Sequence, residues 1–256
     1  MARVDHRAGE LIVSHFVLLN CRLFTGGADL TGSSNKLELS AEVGDEERTN
    51  FGSAGWKEVL GGLRETELSG GGQWEAGDPG RVDDARWTEL GGLGPWTACP
   101  DRADLGALAW FTSAMSGGYK LGDQVGAVAP WEGQAKGSWP LVRGQIAHPP
   151  GTARTATGTG SGIQLGAVPA GKHLYAAAHI LSIAGTGSPS ITLGIESDVD
   201  NTFASPTDVV TFGAAGVLSG QIARAPGPVT DTWFRPKWTI TGTGPSFLFV
   251  VALGIA

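Results

Sequence analysis

Two cysteines in 256 residues, Cys21 and Cys99, are too few for a disulfide framework, and their spacing fits no zinc or redox motif. Both read as ordinary buried thiols. Long apolar runs are also missing. The longest near the start, LIVSHFVLL at 11–19, is broken by Ser14 and His15 and is too short to span a bilayer. No small-residue cleavage site follows a basic start, so the expectation is a soluble protein made in a cytoplasm, without membrane insertion. Basic charge is scarce: 18 Lys and Arg stand against 25 Asp and Glu, a net charge of −7. Residues 1–125 hold 19 acidic against 11 basic side chains, whereas residues 126–256 hold 6 against 7. An acidic first half without a basic patch is poorly suited to gripping nucleic acid, which needs clustered Lys and Arg, although nucleic acid could slide past it.

Catalytic signatures are equally scarce. No G-x-S-x-G elbow occurs. GAVPAGKH at 166–173 has the G-x4-G-K of a phosphate loop, but His173 stands where Ser or Thr would hold magnesium, and an alternating strand follows instead of a helix. GTGSG at 158–162 lacks the spacing of a dinucleotide fingerprint. The five histidines, His6, His15, His148, His173 and His179, form no ligand cluster; His173 and His179, six apart on one strand, lie roughly 20 Å from each other. Glu42, Asp45, Glu46 and Glu47 lack calcium-loop spacing. ESDVDN at 196–201 comes closer, with Glu196, Asp198 and Asp200 alternating, yet a polar turn explains it better. The expectation is no enzyme, no cofactor and no metal.

Glycine is abundant instead, 41 residues without a collagen period, scattered as GG, GTG and SG between apolar runs. That pattern reads as many tight turns and therefore many strands. NKLELSAEV places Leu37, Leu39, Ala41 and Val43 on one face and Lys36, Glu38, Ser40 and Glu42 on the other, the alternation of a half-buried strand. LRETELSGGGQWEA from Leu63 is a mostly polar strand suited to a sheet edge or subunit face. Between them, GDEERTNFGSAGWKEVLGG at 44–62 reads as a long polar loop. One short helix is predicted near 82–91, capped by Asp83 or Asp84, ended by Gly91, with Val82, Trp87 and Leu90 as its apolar face.

Residues 147–162, rich in Pro, Gly and Thr, read as a linker or a long exposed loop, the seam between a β domain at 1–146 and a β sandwich at 163–256. Two near-copies, AGTGSPSITL at 184–193 and TGTGPSFLFV at 241–250, predict two similar hairpins. The final strand is apolar on both faces, Phe247, Phe249, Val251, Leu253 and Ile255 against Leu248, Val250 and Ala252, which requires a central position or cover from a neighbouring subunit. Trp56, Trp74, Trp87, Trp96, Trp131 and Trp139 are dispersed and read as core and interface anchors.

The stretches ADLTGSSNKLELSAEV and TNFGSAGWKEVLGGLRETELSGGGQWEAG, with LYAAAHILSIAGTGSPSITLGIESDVDNTFASPTDVVTFGAA and WFRPKWTITGTGPSFLFVVALGI further on, resemble the major tail proteins of long-tailed, non-contractile bacteriophages (siphophages), particularly those of high-GC hosts. The resemblance covers roughly residues 16–256. It implies an all-β fold with one short helix, a tail-tube β sandwich whose strands join into a closed ring barrel. Its partners would be itself, in rings stacked into a hollow tube, then tail terminator, distal tail and tape-measure proteins, with double-stranded DNA in transit and no specific binding. Its place would be the virion tail. The loop at 44–62 would reach the adjacent ring through Asp45, Glu46, Glu47, Arg48, Asn50, Phe51, Trp56 and Lys57. Glu38, Glu42, Glu65 and Glu67 would be the acidic candidates for the lumen wall, repelling phosphate. The chain is longer than one tube domain needs, so the ring could hold three chains with two tube-like halves each, or six; the two β-rich halves favour three. The rival reading is a carbohydrate- or surface-binding β sandwich of a virion, with exposed tryptophans stacking on sugars.

Overall fold

The computed structural model describes residues 17–77 and 79–256. The first part of the apolar run, residues 11–16, and the predicted positions of His6 and His15 lie outside them. The strands are β1 (Arg22–Thr25), β2 (Ala28–Asp29), β3 (Ser34–Glu47), β4 (Val59–Gln73), β5 (Leu93–Cys99), β6 (Leu108–Leu121), β7 (Pro130–Gly137) and β8 (Val142–His148), with the helix α1 (Val82–Thr88) between β4 and β5. They continue as β9 (Gly158–Thr159), β10 (Ile163–Gln164), β11 (His173–Asp198), β12 (Thr207–Thr211), β13 (Ser219–Pro226) and β14 (Trp233–Ile255). All fourteen join one open, antiparallel sheet, which agrees with the all-β class read from the sequence. Among the described residues no helix is long and apolar enough to cross a membrane.

The centre of the sheet is the pair β11/β14, hydrogen-bonded from Leu174↔Ile255 to Asp198↔Trp233. Leu174, Ala176, Ala178 and Ile180 of β11, with Phe247, Phe249, Val251 and Leu253 of β14, face one core. Tyr175, Ala177, Val250 and Ala252 face a second, shared with Phe24, Phe111, Val142 and Ile146 of the first half. The doubly apolar last strand is therefore covered from both sides within the chain. Each fully buried side chain of this size stabilises by about 1.5–3 kcal/mol, so this pair anchors the molecule.

The near-copied glycine motifs are not hairpin turns. They lie opposite each other midway along β11 and β14, where Ala184↔Ser246, Thr186↔Thr243 and Ser190↔Thr241 pair through successive register shifts. Gly185 (φ 127°) and Gly242 (φ 114°) adopt backbone that side chains disfavour, and a Cβ on Gly242 would sit 2.8 Å from Cα of Pro189. Both long strands carry their irregular backbone at the same level.

The stretch 147–162 is not a free tether. After β8 pairs with Val251–Leu253, the chain follows the same edge of β14: Arg154 exchanges hydrogen bonds with Phe247, Gly158 and Thr159 pair with Trp238 and Lys237, and Ile163 pairs with Phe234. Pro, Gly and Thr density signalled an absence of regular structure, whereas the backbone finds its partners on a neighbouring strand edge.

Two buried histidines tie these layers together. His179 on β11 donates from Nδ1 to the carbonyl of Gly26 and accepts at Nε2 from the Thr97 hydroxyl, both 2.8 Å. His148 donates from Nδ1 to the carbonyl of Phe249 (3.1 Å) and accepts at Nε2 from Arg154 Nε (3.2 Å). Burial pushes both imidazoles down to about pKa 4, so each is held neutral.

Helix α1 turns a different face inward from the one its apolar residues suggest. Val82, Ala85 and Arg86 are buried, while Trp87 is 68% and Leu90 44% exposed. Arg86 pairs with Glu89 (2.7 Å), donates to Ser116 Oγ (2.9 Å) and lies 4.5 Å from the Trp96 ring centroid. Three short-range partners make a buried guanidinium tolerable, which a hydrophobic-periodicity reading has no means to foresee. Asp83 does not cap the helix; it accepts from Tyr119 OH (2.6 Å) and Trp74 Nε1 (3.1 Å). Gly91, at φ 78°, follows the helix end as expected.

Candidate assembly surface

Strands β3, β4, β7 and β6 form a four-stranded, fully antiparallel section of the sheet. Its inner face carries Leu37, Leu39, Leu68, Trp131, Ala135 and Ala114 and packs on β1, β2 and α1. Its outer face is polar, and register brings all four predicted lumen acids onto it: Glu42 opposite Glu65, Glu67 between Ser40 and Lys136, Glu38 opposite Ser69. Lys36, Lys120, Lys136 and Glu132 share that face, and their presence there depends on strand pairing that spacing alone does not reveal.

The section has open edges. Among the described residues β3 pairs only with β4. β6 pairs with β5 only up to Met115, and among the described residues no strand covers the same side of 117–121. Two unpaired edges on one small sheet invite pairing with another chain.

The predicted loop at 44–62 is shorter than expected because its flanks are strand. Asp45, Glu46 and Glu47 pair with Gly61, Leu60 and Val59, which leaves 48–58 as the turn. The hairpin parts from the sheet where β7 ends, since β4 pairs with β7 only from Glu67 to Gln73. From Ala41 to Glu47 it runs free for roughly 20 Å at 3.3 Å per residue, as a two-stranded arm. Burial fades along it: Leu39 is half-buried, but Ala41 is exposed and Val43 is 59% exposed. Val43 was expected on a covered face; the alternation continues past the end of the core that would cover it.

The arm's turn is ordered by local bonds. Asn50 Oδ1 accepts from Gly52 N (2.8 Å), Ser53 Oγ accepts from Asn50 N (3.1 Å), and Thr49 Oγ1 accepts from Glu58 N (3.1 Å). Ala54 (φ 50°) and Gly55 (φ 87°) reverse the chain in left-handed backbone. Arg48–Glu58 and Lys57–Glu47 are loose surface pairs at 3.7 Å, worth little in isolation. Phe51 is fully exposed and Trp56 79% exposed; Val59, Leu60 and Leu63 add exposed apolar surface that the sequence reading did not single out.

Elsewhere the polar clusters serve the fold. Glu196 is buried and held by Arg235 (2.5 Å), Asp198 accepts from the backbone of Val199 and Ser205, and Asp200 accepts from Thr202. The described residues include no group of three or more His, Cys, Asp or Glu arranged for a metal. In residues 163–256, Trp238 is buried with its Nε1 donating to the Ala156 carbonyl, and Trp233 is half-buried. Neither offers the exposed platform that sugar stacking needs. Trp96 and Trp131 are core anchors, as expected of that set.

No family model and no curated protein matches the chain. Among solved structures, a chain from the virion of a native gene transfer agent particle is similar over 43% of this chain and 84% of its own length, at 17% identity and TM-score 0.36. One from the tail of an empty gene transfer agent particle with C6 symmetry is similar over 49% and 94%, at 17% identity and TM-score 0.36. The Dit protein of phage SPP1, a hub adsorption apparatus protein of phages infecting Gram-positive hosts, is similar over 92% and 99%, at 13% identity and TM-score 0.32.

Proposed function

We propose that this protein is a non-enzymatic structural subunit of a phage tail that closes into rings and stacks them into a hollow tube for double-stranded DNA. The observation that carries the reading is the four-stranded section β3–β4–β7–β6, apolar within, polar outside and open at both edges. β3 and β6 run in opposite directions, so β3 of one chain set against residues 117–121 of the next continues the antiparallel alternation. A ring of such contacts removes every edge.

Lumen width bears on the ring number. With strands about 4.8 Å apart and tilted about 40°, each occupies roughly 6 Å of circumference. Three chains contributing these four strands each give a backbone radius of roughly 12 Å, and inward side chains then leave a bore narrower than a duplex about 20 Å across. Six chains double the radius and pass it. The three-chain alternative needs a second open four-stranded section in the C-terminal half, where β11 and β14 are instead covered on both faces from Leu174 to Ile180 and from Phe247 to Leu253. Six is therefore favoured. The polar face with Glu38, Glu42, Glu65 and Glu67 would line the bore, where excess carboxylate keeps phosphate from adhering.

The arm would supply the stacking contact between rings. An isolated two-stranded ribbon is marginal in water, and one that exposes Val43, Phe51, Trp56, Leu60 and Leu63 gains stability when a second surface covers it. Electron microscopy of the assembled protein is the test: a hollow tube with a six-fold cross-section is expected, and solid or absent assemblies would overturn the proposal. Replacing Glu46–Leu60 with an Asn-Gly turn should leave a folded β protein that no longer forms long tubes.

A further inference from the structure

The ribbon β3–β4–β7–β6 has two ends, and both are apolar. At one lies the arm. At the other, level with Ser34 and Gly72, β6 and β7 are joined by residues 122–129, whose register neighbours are Leu121↔Trp131 and Gly72↔Trp131. There Leu121 is 46%, Val128 71% and Val125 fully exposed. Ser34 and Glu47, which mark the two ends, stand thirteen residues apart on β3, or roughly 43 Å.

Resting on the tube reading, we infer that the arm of one copy docks on the β6–β7 turn of the next copy along the strand direction. Two observations converge on a second copy of this chain as the occupant. The two apolar surfaces lie at opposite ends of one sheet, so translation along the strands brings unlike ends together. Such a head-to-tail contact repeats without closing, as a filament requires. The turn is also tied to the sheet by backbone hydrogen bonds, with Ala127 N bonded to Gln124 O and Trp74 N to Ala129 O.

The test uses full-length chains. Ala54→Cys in one preparation and Ala127→Cys in another, both at exposed positions that leave Phe51 and Val125 in place, are mixed under mild oxidation and run without reductant. Disulfide-linked pairs several-fold above those from either preparation alone are expected; Cys99 is buried and Cys21 half-buried in both, which sets the background. Equal yields would overturn the docking. A second chain, with Val125→Arg and Val128→Arg, should melt as the parent does, because both side chains are exposed, yet give at least ten-fold fewer tubes. If that chain forms tubes of normal number and length, the docking site is wrong while the tube reading stands. If the unaltered chain forms no tubes, both fall.

Discussion

The molecule contains two long antiparallel strand pairs that use the same backbone geometry to opposite ends. β11/β14 carries apolar residues on both faces over Leu174–Ile180 and Phe247–Leu253 and is enclosed there by two cores of its own chain. β3/β4 carries apolar residues well past the point where its core stops, and leaves them in solvent. Free energy of folding is concentrated in the first pair. The second holds surface whose burial waits for another chain, so stability and assembly should separate cleanly under mutation.

Phenylalanines give the sharpest contrast. Phe249→Ala, at a fully buried position, should lower unfolding free energy by about 3–5 kcal/mol in a denaturant titration. Phe51→Ala, fully exposed at the arm, should change it by less than about 0.5 kcal/mol while cutting tube yield. If the two substitutions cost the same stability, the contrast between the pairs fails.

Acid should act on the buried pair and spare the arm. His148 and His179 have folded pKa values near 4, below the ordinary 6.5, so the unfolded chain binds protons that the folded chain refuses. Their neutral-state stability is complete above pH 6.5 and is lost as pH falls toward 4, by up to about 3 kcal/mol each. A stability profile for His179→Gln should be flatter over that window than the parent's; an unchanged slope would remove His179 from the account.

At the arm, Asn50→Ala removes an acceptor from the turn and should cost about 1 kcal/mol of local order, read as faster amide exchange at Gly52 with no change in global unfolding. The smallest effect concerns the outer face. Glu42 and Glu65 are like charges directly across β3/β4, so Glu65→Gln should stabilise the hairpin by a few tenths of a kcal/mol at low salt, fading at high salt. Salt-independent destabilisation would show that the pair is held by something other than mutual repulsion.

Period-2 alternation at Lys36–Val43 made β3 legible, and continuous apolarity at 247–255 made β14 legible as an enclosed strand. Both signals arise from which face of a strand meets water, and that is written in side-chain order. The linker at 147–162 and the hairpins at 184–193 and 241–250 were misread for one reason. Glycine, proline and threonine report that a segment cannot form a regular element by itself, and they say nothing of a strand edge supplied by residues fifty or more positions away. The inward face of α1 failed similarly, because Arg86 is buried by Trp96, Glu89 and Ser116, partners from three places in the chain.

The sequence by itself determined the β class, the short helix, the acidic balance of the first half and the enclosed final strand, since each follows from composition or local periodicity. Only the tertiary structure decided that the halves share one sheet, that the long loop is a strand-flanked arm, and that four scattered glutamates lie on one polar face. Those depend on register between distant strands, and register is fixed by the packing of whole faces, which no local stretch encodes.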